Sequence, residues 1–516
     1  MTIAEQRTRR AVSETIGVGA AFAAAGTPDM ARAQMRDDEL CFLSAAELLA
    51  LFKARKLSPV EVLKAQIARA ERINPQINCF THTYFDDALA AARESEARWM
   101  KGDPRPLEGI VTSVKDEEAM TGWPVTAGSL LLKDQKAETN TPVVDKLLAA
   151  GAVLHAQTTA PEFYFVSVTW SRLWGVTRNP WNLQATVGGS SGGAGASLSA
   201  GLATLATGSD MGGSIRIPSS LNGLYGFKPP HGRVPLSPGG EIMPQGSSGP
   251  MARSLGDLAL LQSAINGPHP RQISALRPQM QYPGSYPGIR DWRIAYSFDL
   301  GWAVLDPDVR RNMEAALLVL ETQGARVEEV KLAWNPDQVR MALAIALLST
   351  GMGELLLQIK ELNQADLLTT YGRFFLALTE QKIGARQLGE AQRYADELFR
   401  QYDALFDNGF SAFVCPTVTT TRIPADFDFT TSKLVVDGQE VDPLTGWLLT
   451  PPFNLMYTIP VVNVPTGLAA NRVPTGMQIA TRSYDDLTAF QVAAAYEAAA
   501  PRLFTGDLMP DFRNSQ

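Results

Sequence analysis

The chain has 516 residues, of which 45% are hydrophobic, so it can bury a large core and is not a disordered chain. Lys and Arg total 46 against 53 Asp and Glu, and this net charge of −7 argues against nucleic acid as a ligand, because phosphate binding needs a basic surface. The three cysteines and four histidines are scattered without any zinc-binding spacing, so we expect neither a metal nor a cofactor.

The N-terminus has features of an export leader. The pair Arg9-Arg10 precedes a stretch of small apolar residues, 16–26, as in a twin-arginine signal. Residues 1–36 are therefore predicted to be either an N-terminal extension or an export signal, and 37–516 to form one domain. The expected location is the cytoplasm, with the periplasm as the alternative if the signal is used. No apolar run reaches the 18 or so residues that a membrane span needs.

Three helices are predicted at the start of the folded region. Ser44 with Glu47, and Ser58 with Glu61, have the spacing of a capping box, in which a serine begins a helix and a glutamate three residues later bonds back to it. Residues 88–100 have the apolar spacing of a third helix.

From residue 106 onward, strands and helices are predicted to alternate. Residues 109–114 and 152–154 are short, apolar and β-branched, as in buried strands, and 143–150 has a helical pattern between them. Such alternation indicates an α/β fold with a largely parallel sheet in one large domain. Later predicted elements are a mostly helical region at 337–406, strands at 410–414 and 459–464, and a closing helix at 487–499.

Two glycine-rich segments, 188–193 and 210–216, are the strongest local signal for chemistry. Glycine lets backbone N–H groups converge on one point, and a serine beside such a loop has a ready site for an oxyanion. A phosphate-binding loop is excluded, because neither segment contains a lysine.

A nucleophile elbow with Ser191 as the nucleophile is the weaker alternative. Gly189 to Gly193 fits the pattern GxSxG, but that motif needs a strand just before it, whereas residues 179–182 have the composition of a turn. It also needs a late histidine, and the two that follow, His231 and His269, lie in loops rich in Pro and Gly. We therefore expect a base other than histidine.

Lys115 is one position to consider for such a base, because it directly follows the predicted strand at 109–114. Burial disfavours the charge of a lysine, and a neutral lysine can take up a proton. Activity is then expected to rise towards neutral and alkaline pH. Taken alone, a lysine at a strand end is more often a solvated charge.

Together these motifs resemble the amidase signature family of serine hydrolases, over roughly residues 43–504. The matching segments are the lysine motif 114–116, the signature block 188–193 with 210–216 and Pro218, the flanking blocks 177–181, 226–229 and 249–253, and the C-terminal block 451–481. The resemblance implies an α/β fold in which one open, twisted, mixed sheet of about eleven strands is flanked by helices. Residues 37–516 would form this amidase domain.

The resemblance also implies the role of each site residue. Ser214 corresponds to the acylating nucleophile, Ser190 to a bridging serine that follows a cis peptide bond, and Lys115 to the general base. Further corresponding groups are the oxyanion-hole amides of Met211, Gly212, Gly213 and Ser214, and the supporting residues Ser191, Asp210 and Arg216. This sequence departs from the family pattern at Ser113, at Met211 and in the acidic pair Glu117-Glu118. These differences leave the substrate open.

An aromatic-rich stretch bears on the substrate. It comprises Phe163, Tyr164, Phe165, Trp170 and Trp174. Each ring alone is more often part of a core, but as a set they favour an apolar or aryl amide, carbamate or ester. Tyr164, Gly189 and Trp174 are the predicted substrate-binding residues.

Two other functional classes remain open. A family member serves as the glutaminase subunit of the glutamyl-tRNA amidotransferase, which works with partner chains. Its tyrosine-rich helical segment is poorly matched here by residues 369–375. The third alternative is an inactive binding protein, against which the intact Lys115, Ser190 and Ser214 argue. For an amidase, the expected partner is a small-molecule amide, and a homodimer is compatible with the sequence.

Overall fold

In the computed structural model, one eleven-stranded sheet runs through the described residues, 37–236, 243–349, 351–381 and 383–512. The predicted N-terminal extension or export signal, 1–36, lies outside them. The strands are β1 Phe80–Thr83, β2 Val111–Lys115, β3 Val153–Thr158, β4 Leu205–Asp210, β5 Tyr225–Lys228, β6 Ser247–Ala252, β7 Arg293–Tyr296, β8 Arg326–Glu329, β9 Ala412–Pro416, β10 Val461–Leu468 and β11 Pro474–Ala480.

The sheet is mixed, in the order β1-β3-β2-β4-β6-β5-β10-β11-β9-β7-β8. Strand β2 lies parallel to β3 and β4, and β7 lies parallel to β8 and β9. The other neighbouring pairs are antiparallel. The predicted α/β fold with a mixed sheet of about eleven strands is confirmed. The largely parallel arrangement expected from the alternation of elements alone is wrong, because hairpin-like pairs such as β10–β11 contribute antiparallel neighbours.

Helices flank this sheet. They are α1 Asp37–Leu40, α2 Ala45–Lys53, α3 Pro59–Ile77, α4 Phe85–Lys101, α5 Pro142–Ala150, α6 Gly192–Ser199, α7 Arg216–Asn222, α8 Leu255–Ile265, α9 Pro307–Thr322, α10 Pro336–Leu348, α11 Gly351–Glu361, α12 Thr370–Leu378, α13 Ala385–Asp407, α14 Pro452–Leu455 and α15 Asp486–Glu497. Both predicted capping boxes are confirmed, at Ser44 and at Ser58. They satisfy N–H groups that the first turn of a helix would otherwise leave unpaired.

Strand β4 shows how the sheet holds helices on both faces. The side chain of Leu205 packs in the core that also contains Leu258 of α8, whereas its neighbour Ala206 packs with Ala194 and Leu198 of α6. Successive side chains of a strand point to opposite faces, so β4 is covered on each side. This packing brings the loop before α6 close to the loop that leaves β4.

The described residues contain no single helix that is long and apolar enough to cross a bilayer. The consecutive helices α10 and α11 meet the length and composition of a span only as a pair, and they are bent by 64° at their junction.

Candidate active site

Lys115 is the last residue of β2, and its side chain is fully buried. Its Nζ lies 2.9 Å from Ser190 Oγ, 2.8 Å from Ser209 Oγ and 3.0 Å from Glu117 Oε2. Strands β2 and β4 are parallel, so their carboxyl ends meet at one edge of the sheet and bring Lys115 to Ser209. The predicted partner Ser190 is in place, whereas Ser209 and Glu117 were not anticipated.

Ser190 lies in the turn that leads into α6, and the peptide bond between Gly189 and Ser190 is cis, as the resemblance implied. A side chain on Gly189 would collide with the carbonyl oxygens of Val166 and Val168, at 2.9 and 2.8 Å from the added carbon. The sequence therefore needs glycine here for close backbone approach. Its predicted substrate-binding role stays a prediction.

Ser191 has a structural position rather than that of an exposed nucleophile. Its hydroxyl is buried and lies 3.3 Å from both the backbone N and O of Ser209. Its backbone N–H donates to the carbonyl of Ser214 at 3.2 Å, so it ties the two glycine-rich segments together. The turn predicted from residues 179–182 is present at 180–181, and a short strand, Asn182–Thr186, lies between it and Ser191. It pairs with residues 178–179 outside the main sheet.

Ser214 lies in the loop between β4 and α7, half-buried, and its hydroxyl makes no hydrogen bond with any described residue. The same holds for the backbone amides of Met211, Gly212 and Ser214. Gly213 differs from the prediction, because its N–H donates to Asp210 Oδ1 at 2.9 Å. An amide already bonded to a carboxylate is not available to an oxyanion, so the candidate hole has three amides rather than four.

Asp210 and Arg216 form a fully buried ion pair behind this loop, with two contacts of 2.9 Å. Arg216 also donates to the carbonyl of Thr450 and to the side chains of Asn454 and Gln478, at 3.0, 2.6 and 2.6 Å. Burial would raise the pKa of Asp210, but the charge and hydrogen bonds of Arg216 outweigh it and lower that pKa to about 2. The pair therefore stays ionised and fixes the loop that carries Ser214.

Replacing Asp210 by asparagine is expected to destabilise the fold by about 3–5 kcal/mol, because it leaves the buried guanidinium without its counter-charge. Urea unfolding followed by tryptophan fluorescence measures this loss. The matched control is Glu440→Gln, which breaks the exposed pair with Lys433 and is expected to cost at most about 1 kcal/mol. Equal losses in both variants would contradict the structural role of Asp210.

The stability from this ion pair has a defined pH window. The pKa of Asp210 is lower in the folded chain than in the unfolded one, so its contribution is fully present above the unfolded pKa of about 4. It is lost as the pH falls through the folded value of about 2. The difference in stability between the Asp210→Asn variant and the parent is therefore expected to narrow only below about pH 4.

Of the predicted aromatic residues, Tyr164 lies against Lys115, and Trp174 is connected to the site indirectly. The ring of Tyr164 faces the lysine, with Nζ 4.6 Å from the ring centre, and its hydroxyl donates to the carbonyl of Asp116 at 2.6 Å. Trp174 is one layer further out, where its indole N–H donates to Thr126 Oγ1 at 2.9 Å. Thr126 in turn donates to the Asp116 carboxylate, so Trp174 reaches the site only through other residues.

The remaining rings of the aromatic stretch serve packing. Phe163 is buried among apolar residues, and Phe165 stacks on Phe375 of α12 with ring centres 4.6 Å apart. Trp170 packs edge-on against Tyr371, also of α12, at 4.8 Å. These three residues attach the loop to the helical region, so only part of the stretch can bear on the substrate.

Two further carboxylates near Lys115 have raised pKa values. Burial raises the pKa of Asp116 to about 6, against the opposing hydrogen bonds from Thr126. Burial likewise raises the pKa of Glu118 to about 7, although Thr141 and Ser248 donate to its carboxylate. In the sequence this run stands out only as unusually acidic. Which carboxylate of this acidic run contacts Lys115 depends on the fold, because the turn that follows β2 brings Glu117 back to the lysine.

Each of the four histidines, all of them among the described residues, has its own set of neighbours. His155 is buried within β3, where its ring nitrogens contact the carbonyls of Leu202 and Thr112, and burial lowers its pKa to about 4. His269 lies 3.3 Å from Asp145, and His82 packs edge-on against Trp174. The ring of His231 packs edge-on against Tyr457.

Comparison with known proteins assigns this chain to a family. The family model described as Amidase matches residues 61–489. An acylamidase of Rhodococcus erythropolis is 33% identical over 477 residues, which are 90% of this chain and 97% of the relative. A glutamyl-tRNA(Gln) amidotransferase chain of Chloroflexus aggregans is 32% identical, over 89% of this chain and 96% of the relative.

Among solved structures, a bacterial aryl acylamidase of the amidase signature family superposes with a TM-score of 0.80 and 28% identity, covering 89% of this chain and 96% of that one. A 6-aminohexanoate cyclic dimer hydrolase gives a TM-score of 0.75 and 26% identity, covering 89% and 98%. The family match thus spans most of the chain and includes both glycine-rich segments and the lysine strand. The chain belongs to the amidase signature family and is a hydrolase acting on C–N bonds of linear amides.

Proposed function

We propose that Lys115, Ser190 and Ser214 are the catalytic triad of this amidase, and that it cleaves apolar or aryl amides through an acyl-enzyme. One observation carries the assignment of the base. The buried amine of Lys115 lies 2.9 Å from Ser190 Oγ, and the backbone of the neighbouring Ser191 is bonded to Ser214. A base, a relay and a nucleophile are therefore held on three connected segments.

The chemistry follows from these positions. A serine hydroxyl is a weak nucleophile until a base accepts its proton, and Lys115 would accept it through Ser190. As Ser214 attacks the carbonyl carbon, negative charge develops on the carbonyl oxygen. The amides of Met211, Gly212 and Ser214 are the available donors for that charge. Ser190 then returns a proton to the leaving amine, and water releases the acyl group by the same route.

The side chains around the loop that carries Ser214 support the proposed substrate class. Leu343 of α10, half-buried, lies over the backbone of Gly212, where an added side chain would meet its methyl group at 3.6 Å. The ring of Tyr164 lies on the lysine side. An apolar side chain and an aromatic ring favour an uncharged, flat or apolar group beside the scissile bond. The acylamidase and aryl acylamidase relatives agree with this choice.

A substrate panel tests the proposed class. Aliphatic amides, anilides, aryl carbamates and free glutamine are offered at equal concentration, and amine or ammonia release is measured. We expect the anilides and aryl carbamates to give the highest kcat/KM, because their rings can contact Leu343 and the ring of Tyr164. Release of ammonia from glutamine with no anilide cleavage would contradict the proposal.

Replacing Ser190 by alanine is expected to lower turnover strongly, but less than loss of the nucleophile, because water can replace part of the relay. Amides should lose more rate than esters with the same acyl group, since an alkoxide leaves with less need for a proton. The ratio of ester to amide kcat/KM measures the effect. An unchanged ratio would remove Ser190 from the leaving-group step.

The glutaminase subunit is the second candidate, because relatives 32% identical are named as parts of a glutamyl-tRNA(Gln) amidotransferase. The segment that distinguished this class in the sequence is committed to packing here. Tyr371 Oη donates to the carbonyl of Trp170 at 2.7 Å and accepts from the N–H of Glu162 at 2.8 Å. Thr369 is likewise bonded to the Glu162 carboxylate. The glutaminase subunit therefore stays the second candidate, and glutamine hydrolysis in the substrate panel distinguishes it from the first.

A further inference from the structure

Glu117 and Ser209 extend the site beyond the triad. Ser209 Oγ lies 2.6 Å from Glu117 Oε2, and both side chains contact the amine of Lys115. Glu117 is about one-third exposed, at 32%, whereas Lys115 is fully buried. Besides these two side chains, Ser190 is the hydrogen-bond partner of the Lys115 amine among the described residues.

The hydroxyl of Ser209 has a defined direction in this arrangement. A carboxylate has no proton to give, so Ser209 must donate to Glu117. The oxygen of Ser209 then accepts an N–H from Lys115. A neutral lysine has two N–H donors and one lone pair. With its two donors directed to Ser209 and Glu117, its lone pair is left for Ser190.

The negative charge of Glu117 matters most in the state in which Lys115 has accepted a proton. When Lys115 takes the proton of Ser190, a buried ammonium forms, and a carboxylate 3.0 Å away stabilises it. The carboxylate of a Ser-His-Asp triad has the same two effects, since it orients the base and stabilises its charged form. Here the base is a lysine and the orienting hydroxyl is supplied by β4.

We propose that Glu117 and Ser209 are positioning residues that aim the lone pair of Lys115 at Ser190 and set the pH at which the site becomes active. This inference rests on the proposed function, because it assigns Lys115 as the base. The two residues contribute differently: the hydroxyl of Ser209 orients the amine of Lys115, and the charge of Glu117, 3.0 Å away, stabilises the ammonium that forms when the lysine accepts the proton of Ser190.

The surroundings of Lys115 include other titratable groups. The ring of Tyr164 faces the amine, and burial together with the nearby carboxylates keeps its pKa well above the usual value, so it stays neutral. Asp116 is engaged by Thr126, and Glu118 by other hydroxyls, but both titrate near neutral pH. A test on Glu117 therefore needs Glu118 as its matched comparison.

The test measures the rate at which a fluorophosphonate labels Ser214 between pH 5.5 and 10. In that step an O–P bond forms, fluoride leaves, and the proton of Ser214 passes through Ser190 to Lys115. Glu117→Gln retains an acceptor and removes the charge, so the acid limb of the profile should move to lower pH by about one unit. Ser209→Ala retains the charge, so the limb should stay and the plateau should fall about tenfold, as for loss of one hydrogen bond.

The outcomes are distinct. Glu118→Gln should shift the acid limb of the labelling profile less than Glu117→Gln does, because Glu118 is not bonded to the lysine. Equal shifts would show that direct contact between Glu117 and Lys115 is not what matters. An unmoved limb in Glu117→Gln, or an unchanged plateau in Ser209→Ala, would overturn the corresponding contribution. If Glu117→Gln does not fold, the Ser209 arm still decides the orientation. Absence of label on Ser214 in the parent enzyme would instead defeat the proposed function itself.

Discussion

The Ser214→Ala variant is expected to lose at least about 10³-fold in kcat/KM, because its half-buried hydroxyl is the proposed nucleophile and lies in the loop that carries the unbonded amides of Met211 and Gly212. Hydrolysis of an anilide by the purified protein measures the loss. Intact-mass analysis after fluorophosphonate treatment, followed by peptide mapping, should place the label on Ser214 in the parent and show none in the variant.

Ser191→Ala is the matched control for this experiment. Its hydroxyl is buried against the backbone of Ser209, so its loss should reduce stability and leave Ser214 reactive. Label mapped to Ser191 in the parent chain would instead support the nucleophile-elbow alternative and overturn the assignment of Ser214.

Replacing Lys115 by alanine has the second-largest expected effect, a loss of about 10²–10⁴-fold in kcat, as is usual for removal of a general base. The variant also removes three contacts at the edge of the sheet, so its folding must be checked by circular dichroism. Lys115→Met, which keeps most of the side-chain volume, separates the lost base from the lost packing.

His231→Ala is the control for an alternative base. We expect it to retain the pH profile and most of the turnover, because Lys115 is the proposed base. Loss of turnover in His231→Ala, with Lys115→Met still active, would show that the histidine takes the proton and that the lysine does not.

The sequence was most informative where a signal is local or where a family motif is intact. The capping boxes at Ser44 and Ser58 were predictable because their hydrogen bonds join residues three apart. The contact of Lys115 with Ser190 was predictable only through the resemblance, since nothing in their spacing indicates contact across 75 residues.

The unpredicted features depend on tertiary register. The contact between Lys115 and Ser209 requires β2 and β4 to be parallel neighbours, which a single sequence does not specify. The short helices α6 and α7 were missed because their residues, many of them Gly and Ser, have low helix propensity and form helices only when packed on the sheet. The loss of Gly213 from the oxyanion hole follows from the turn at Asp210, which directs that amide to the carboxylate.

The hydrogen bonds of Arg216 join segments that the ribosome produces far apart in time. Its partners Thr450, Asn454 and Gln478 lie 234, 238 and 262 residues downstream. At about 5–20 residues per second, a ribosome needs roughly ten seconds to a minute to produce that segment. During this time the guanidinium has Asp210 but lacks these later partners. The buried network that fixes the loop carrying Ser214 is therefore complete only after residue 478 has been synthesised.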